Sequence, residues 1–181
     1  MKKAIFLDRD GTINREVDYL INIADFKLIP GTEEALHIFN SLDFSLFMVS
    51  NQSGIARGFF STEQVDQLNN HILQYFAKRG IYIKESLYCP HHLKGIVSIY
   101  SKPCNCRKPR PGMLLELQNK YNLHLPSSYM VGDKISDAMA GIHAGTKSVL
   151  VKSGHALPDN KPLPSPVYEN LLDFAHSLQK G

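Results

Sequence analysis

The 181-residue chain predicts an α/β architecture in which a central parallel sheet carries helices on both faces. Short apolar runs of strand length alternate along it with longer stretches of helical periodicity. Three of those runs are followed at once by residues that can do chemistry. Ile5-Phe6-Leu7 leads into Asp8-Arg9-Asp10-Gly11-Thr12. Phe47-Met48-Val49 leads into Ser50-Asn51. Tyr129-Met130-Val131 leads into Gly132-Asp133, with Asp137 close behind. In a parallel sheet the carboxyl ends of such strands converge on one edge, where ligands bind.

In chain order, strands are expected at 4–8, 45–50, 81–88, 129–131 and 148–151, and helices at 32–42, 62–78, 112–121, 136–144 and 168–179. The helix at 62–78 has the clearest pattern. Val65, Leu68, Ile72 and Phe76 recur at helical spacing, while Glu63, Gln67, Asn70 and Gln74 would face water. Ser61-Thr62-Glu63 offers N-cap choices, and Gly80 suits the C-terminal end. The Pro-rich stretch 158–166 is expected to be a surface connection into the last helix. Residues 11–30 and 89–109 break the alternation. The first is expected to form a hairpin or flap beside the site, and neither is long enough for a second domain. One domain spanning 1–181, without a large cap, is the expected organisation.

Composition narrows the function classes. Apolar residues make up 43% and charged residues 20%, and the net charge of +3 is too small to imply a nucleic-acid partner. Asp8, Arg9 and Asp10 cut short the first apolar stretch, so it does not suit a signal peptide. No run approaches the roughly 20 apolar residues of a membrane span. All 3 cysteines cluster between positions 89 and 106, which favours metal binding over a disulfide framework. A cytoplasmic, monomeric protein is expected.

Gathering Asp8, Asp10, Asp133 and Asp137 at one edge is costly unless a divalent cation and a phosphate occupy it. At the end of a strand Asp8 can attack phosphorus as a carboxylate nucleophile, and Asp10 can act as general acid and then base. Ser50 and the Asn51 backbone can donate to the phosphate, with Lys108 as counter-charge. Asp8, the Asp10 carbonyl and Asp133 suit magnesium, with Asp137 holding a metal-bound water. In isolation the first motif is equally compatible with a surface turn whose aspartates cap amides. An EF-hand loop is excluded, because its glycine would stand sixth where Gly11 stands fourth.

Cys89-x-His91 and Cys104-x-Cys106 supply a closed set of zinc ligands, which points to a structural ion, with His92 as a rival ligand. The metal-bound loop would deliver Arg107-Lys108 to the phosphate. His37, His71, His143 and His176 fall in helical patterns and carry no such signal.

Together these motifs resemble the haloacid dehalogenase superfamily. Ser50-Asn51-Gln52-Ser53-Gly54-Ile55-Ala56-Arg57-Gly58, Tyr88-Cys89-Pro90-His91-His92, Cys104-x-Cys106-Arg107-Lys108-Pro109 and Tyr129-Met130-Val131-Gly132-Asp133-Lys134 narrow the resemblance to its subgroup acting on heptose bisphosphates and histidinol phosphate. That resemblance implies a capless Rossmann-like phosphatase of a small phosphorylated sugar, on the route to nucleotide-activated heptose for lipopolysaccharide. It implies Asp8 as nucleophile and Asp10 as acid/base, a magnesium site of Asp8, Asp10 and Asp133, and a zinc site of Cys89, His91, Cys104 and Cys106. It extends the substrate lining to Gln52, Ser53, Arg107 and Lys134, and to a flap containing Glu16, Asp18 and Tyr19, whose residues depart from the family pattern. Histidinol phosphate is the competing substrate. A zinc-containing nucleic-acid module using Arg107, Lys108 and Arg110 is the competing class, and it lacks aromatic residues interleaved with the basic ones.

Overall fold

A computed structural model describes residues 2–159 and 161–180. Its centre is a six-stranded sheet in the order β3-β2-β1-β4-β5-β6. The strands are β1 (Lys3–Leu7), β2 (Phe44–Asn51), β3 (Ile83–Cys89), β4 (Tyr129–Gly132), β5 (Lys147–Val151) and β6 (Val167–Tyr168), and every pairing is parallel. The helices are α1 (Thr32–Ser41), α2 (Ser53–Ala56), α3 (Thr62–Ala77), α4 (Gly112–Tyr121), α5 (Ile135–Ala144) and α6 (Leu171–Gln179).

Alternation along β1 divides the core. Ile5 and Leu7 join Leu46, Met48 and Val131 beneath α1, α3 and α6, while Ala4 and Phe6 join Phe47, Val49 and Met130 beneath α4. Both faces are therefore covered, which is why these strands are apolar throughout. On α3 the four apolar positions are buried and the four polar ones exposed. Burial of each such large side chain contributes about 1.5–3 kcal/mol. Ser61 caps α3 reciprocally with Gln64: its hydroxyl accepts from the Gln64 amide at 3.3 Å, and its amide donates to Gln64 Oε1 at 2.9 Å.

The last element begins differently from its pattern. Val167 and Tyr168 form an edge strand on β5, and Asn170 then caps α6 by accepting from the Asp173 amide at 3.0 Å. The apolar spacing extends this helix back to 168 because Tyr168 continues it. The sheet edge claims Tyr168 instead, and its carbonyl accepts from the Lys152 amide at 3.0 Å, an ordinary ladder bond. The short helix α2 has no counterpart in the sequence pattern, being too brief to leave a period. Neither irregular segment forms a folded cap. The flap at 11–30 is tied by bridges of Asn14 to Asp10 and Leu28 and includes a 3-10 turn, Ile23–Asp25. Among the described residues no helix is long and apolar enough to cross a membrane.

Candidate active site

Strand order reverses between β1 and β4, and the residues just past these two strands open the cleft. Asp8, Asp133 and Asp137 are buried together, with carboxylate oxygens within 4.8 Å of one another. Lys108 reaches them from the cysteine loop. Its Nζ lies 2.7 Å from Asp8 Oδ1 and 2.7 Å from Asp137 Oδ1, and donates to the Val49 carbonyl at 2.9 Å. Burial opposes the charged form of Lys108, but the Asp137 and Asp8 carboxylates outweigh it and raise its pKa. Burial pushes the Asp8 carboxyl up, opposed by Lys108 and reinforced by Asp137.

One ammonium among these buried carboxylates leaves a deficit of positive charge that a divalent cation would meet. Asp133 Oδ1 is fully buried and has no hydrogen-bond partner, so the donor set fits such an ion. The other Asp133 oxygen accepts from the His155 amide at 2.8 Å and lies 2.7 Å from His155 Nδ1. A Cβ on Gly154 or on Gly11, where φ is +83°, would run into the Asp133 carboxylate. The chain thus reserves glycine where two turns close on that side chain. Asp137 has both oxygens engaged, the first with Lys108 and the second accepting from the Lys134 amide at 2.9 Å. The group it visibly holds is Lys108.

Asp10 lies beside this cluster and accepts from Asn14 Nδ2 at 2.9 Å, Gln52 Nε2 at 3.4 Å and the Arg9 guanidinium at 2.8 Å. Gln52 also donates to Ser50 Oγ at 3.1 Å. Asn51 clamps the Lys108 backbone from both sides: Oδ1 accepts from its amide and Nδ2 donates to its carbonyl, each at 3.0 Å. A cleft of about 420 Å³ is lined by Asp8, Asp10, Ser50, Asn51, Gln52, Ser53, Arg107, Lys108, Lys134 and Asp137, together with the flap residues Glu16, Asp18 and Tyr19. Glu16 Oε2 stands 3.8 Å from Lys134 Nζ and 3.5 Å from His155 Nδ1, and burial raises its pKa.

Behind Lys108, Cys89, His91, Cys104 and Cys106 bring their ligand atoms within 4.8 Å of one another. The Cys89 and Cys106 sulfurs are 3.0 Å apart, and His91 Nδ1 is 3.4 Å from Cys106 Sγ. The facing Cys89 thiol, with His91, draws the Cys106 thiol down to about 5, whereas the contact with Cys106 pushes Cys89 up. Sulfur and imidazole donors arranged in this way fit a closed tetrahedral zinc site. His92 is not part of that group, and its Nδ1 accepts from the Lys94 amide at 3.1 Å. Arg107 Nη1 donates to the His91 carbonyl at 3.1 Å, which joins the cluster to the residue preceding Lys108.

Sequence reasoning missed Arg9, Asn14 and His155. His155 had a usable signal: it lies just past a predicted strand, at the same carboxyl edge as the other site residues.

The HAD-hydrolase-like family model matches residues 105–174. The chain is 45% identical to D-glycero-beta-D-manno-heptose-1,7-bisphosphate 7-phosphatase of Pasteurella multocida, over 100% of this chain and 98% of that one. It is 40% identical to D-glycero-alpha-D-manno-heptose-1,7-bisphosphate 7-phosphatase of Photorhabdus laumondii, over 94% and 92% of the two chains. Among solved structures, the D,D-heptose 1,7-bisphosphate phosphatase of B. bronchiseptica, complexed with magnesium and phosphate, superposes with a TM-score of 0.83 at 29% identity. That match covers 98% of each chain. Similarity of this extent, joined to the cleft geometry, makes the chain a member of the heptose 1,7-bisphosphate 7-phosphatase family of HAD-like hydrolases.

Proposed function

We propose that the chain, as one phosphatase domain, removes the 7-phosphate of D-glycero-D-manno-heptose 1,7-bisphosphate through a phospho-aspartate. The β anomer is the favoured substrate, since the relative matched at 45% over 98% of its length bears the β name. The heptose 1-phosphate released would feed nucleotide-activated heptose for lipopolysaccharide. The observation that carries the chemistry is the buried contact of Lys108 with Asp8 and Asp137 at 2.7 Å. It occupies one carboxylate oxygen of Asp8 and leaves the other for the cleft that Asp8 lines.

In this reading an Asp8 oxygen attacks phosphorus as the ester P–O bond breaks, and Asp10 gives its proton to the departing sugar oxygen. Asp10 then takes a proton from the water that attacks the acyl phosphate, restoring the Asp8 carboxylate and releasing inorganic phosphate. Lys108, the Ser50 hydroxyl and the Asn51 amide hold the phosphoryl oxygens in line. Arg107, Lys134, Gln52 and Ser53 bind the rest of the substrate, and Glu16, Asp18 and Tyr19 cover it. Asp8, the Asp10 carbonyl and Asp133 would hold magnesium, with Asp137 in its outer shell; when bound it neutralises charge building on the transferring group. Zinc on Cys89, His91, Cys104 and Cys106 would be structural.

The test is phosphate release with magnesium from both heptose bisphosphate anomers and from histidinol phosphate. The expected result is a preference above tenfold in kcat/KM for the β heptose bisphosphate, about 1.4 kcal/mol of discrimination, lost on Asp8→Asn. Equal or faster turnover of histidinol phosphate would overturn the heptose assignment and leave the phosphatase mechanism in place.

A further inference from the structure

Among the described residues the largest fully buried side chain is a charged one, Arg9, between the two aspartates of the first motif. Taking a guanidinium out of water costs several kcal/mol, and apolar residues of similar volume commonly serve stability as well or better. Its bonding shows what the charge does. Nε–H donates to both oxygens of Asp10, at 3.1 and 3.2 Å, and Nη2 donates to Asp10 Oδ2 at 2.8 Å. Nη1 donates to Asn69 Oδ1 at 3.1 Å, and Nη2 reaches the Leu20 carbonyl at 3.5 Å. Asn69 is the buried polar residue on the otherwise apolar inner face of α3, and Leu20 is a buried anchor of the flap.

The turn itself does not need this side chain. The Arg9 carbonyl already accepts from the Ile13 amide at 2.9 Å and the Asn14 amide at 3.2 Å. What the guanidinium adds is a planar fork that sets both the direction and the plane of the Asp10 carboxyl group. The remaining partners of Asp10, Asn14 and Gln52, are neutral amides.

We propose that Arg9 is a positioning residue: braced by Asn69 on α3 and the Leu20 carbonyl of the flap, it aims Asp10 at the leaving-group oxygen. This rests on Asp10 being the general acid of the reaction proposed above. The flap and the acid are then coupled, because one side chain grips both.

The experiment exploits the leaving group. A sugar oxygen must be protonated to depart, whereas p-nitrophenyl phosphate releases a phenolate that needs no proton. General acid catalysis contributes roughly 10²–10⁴-fold, and kcat/KM reports only the steps up to departure of the leaving group, so a misdirected Asp10 lowers kcat/KM selectively for the first substrate. Arg9→Lys keeps the charge and loses the fork. It is expected to lower kcat/KM for heptose 1,7-bisphosphate by about 30-fold or more, and for p-nitrophenyl phosphate by no more than about threefold, the pattern that Asp10→Asn is expected to show in full. Asn69→Ala, which spares both Arg9 and Asp10, is expected to give the same selective loss at about 3–10-fold, and it decides the matter should Arg9→Lys fail to fold. Equal losses on the two esters, or no loss on either, would overturn the inference while the wild-type enzyme remained a phosphatase. A wild-type chain inert toward both esters would overturn the phosphatase reading as well.

Discussion

The flap at 11–30 buries Ile13, Leu20 and Ile29 in the core, whereas the loop at 89–109 leaves Leu93, Ile96 and Ile99 exposed and gathers Cys89, His91, Cys104 and Cys106 instead. Both segments contribute to the same cleft, the flap through Glu16, Asp18 and Tyr19 and the loop through Arg107 and Lys108. The flap is held by hydrophobic burial, which any aqueous folding condition supplies. The loop buries little apolar material of its own, so the ion its donors fit would, if bound, supply much of its order. In the reading proposed above, one wall of the cleft is intrinsic to the fold while the other would be conditional on metal, and that second wall carries Lys108, whose ammonium lies 2.7 Å from Asp8 and Asp137.

The largest expected effect comes from breaking that condition. Stripping all metal by chelation and returning magnesium alone is expected to leave hydrolysis depressed on the order of 100-fold, comparable to losing a preorganised charge at a transition state. Recovery should come only when zinc is added back; full recovery with magnesium alone would show that the loop anchors itself. Next in size, Leu20→Ala should destabilise the fold by about 3 kcal/mol, the usual cost of emptying a buried leucine site. The denaturation midpoint should shift equally with zinc present or removed, and a zinc-dependent shift would mean that the two walls are not separately held. Asn51→Ala removes the clamp joining β2 to the Lys108 backbone. Its expected cost is about 1.4 kcal/mol, a tenfold fall in kcat/KM with little change in melting temperature. At the small end, Ile96→Ser on the exposed side of the loop should change stability by less than about 0.5 kcal/mol. A larger loss in calorimetry would reveal apolar anchoring of the loop and erase its contrast with the flap.

Much of the fold was legible in order along the chain. The apolar runs marked β1, β2, β4 and β5 to within a residue or so, and the spacing on α3 marked its buried face. Asp8, Ser50 and Asp133 could be nominated because parallel strands bring the residues at their carboxyl ends to one edge, and Lys108 because it leaves the cysteine loop beside Arg107. Arg9 was not legible: beside two aspartates it looks like a solvated charge, and only the packing of α3 and the flap around it shuts water out. His91 and His92 could not be told apart by spacing, since the choice depends on which ring turns toward Cys89 and Cys106. Tyr168 suited the periodicity of α6 until β5 offered it an edge to pair with.

By itself, then, the sequence determined the alternation of strands and helices, the residues delivered to the sheet edge, and the soft-donor set, because periodicity, turn chemistry and ligand type are local properties. Tertiary structure alone decided which partner each polar group took: Asp137 on Lys108, His155 on Asp133, Arg9 on Asp10 and Asn69, and Asn51 on the Lys108 backbone. Most of those pairings cross tens of residues, and a buried charge or amide takes whatever partner the packing brings within hydrogen-bond reach.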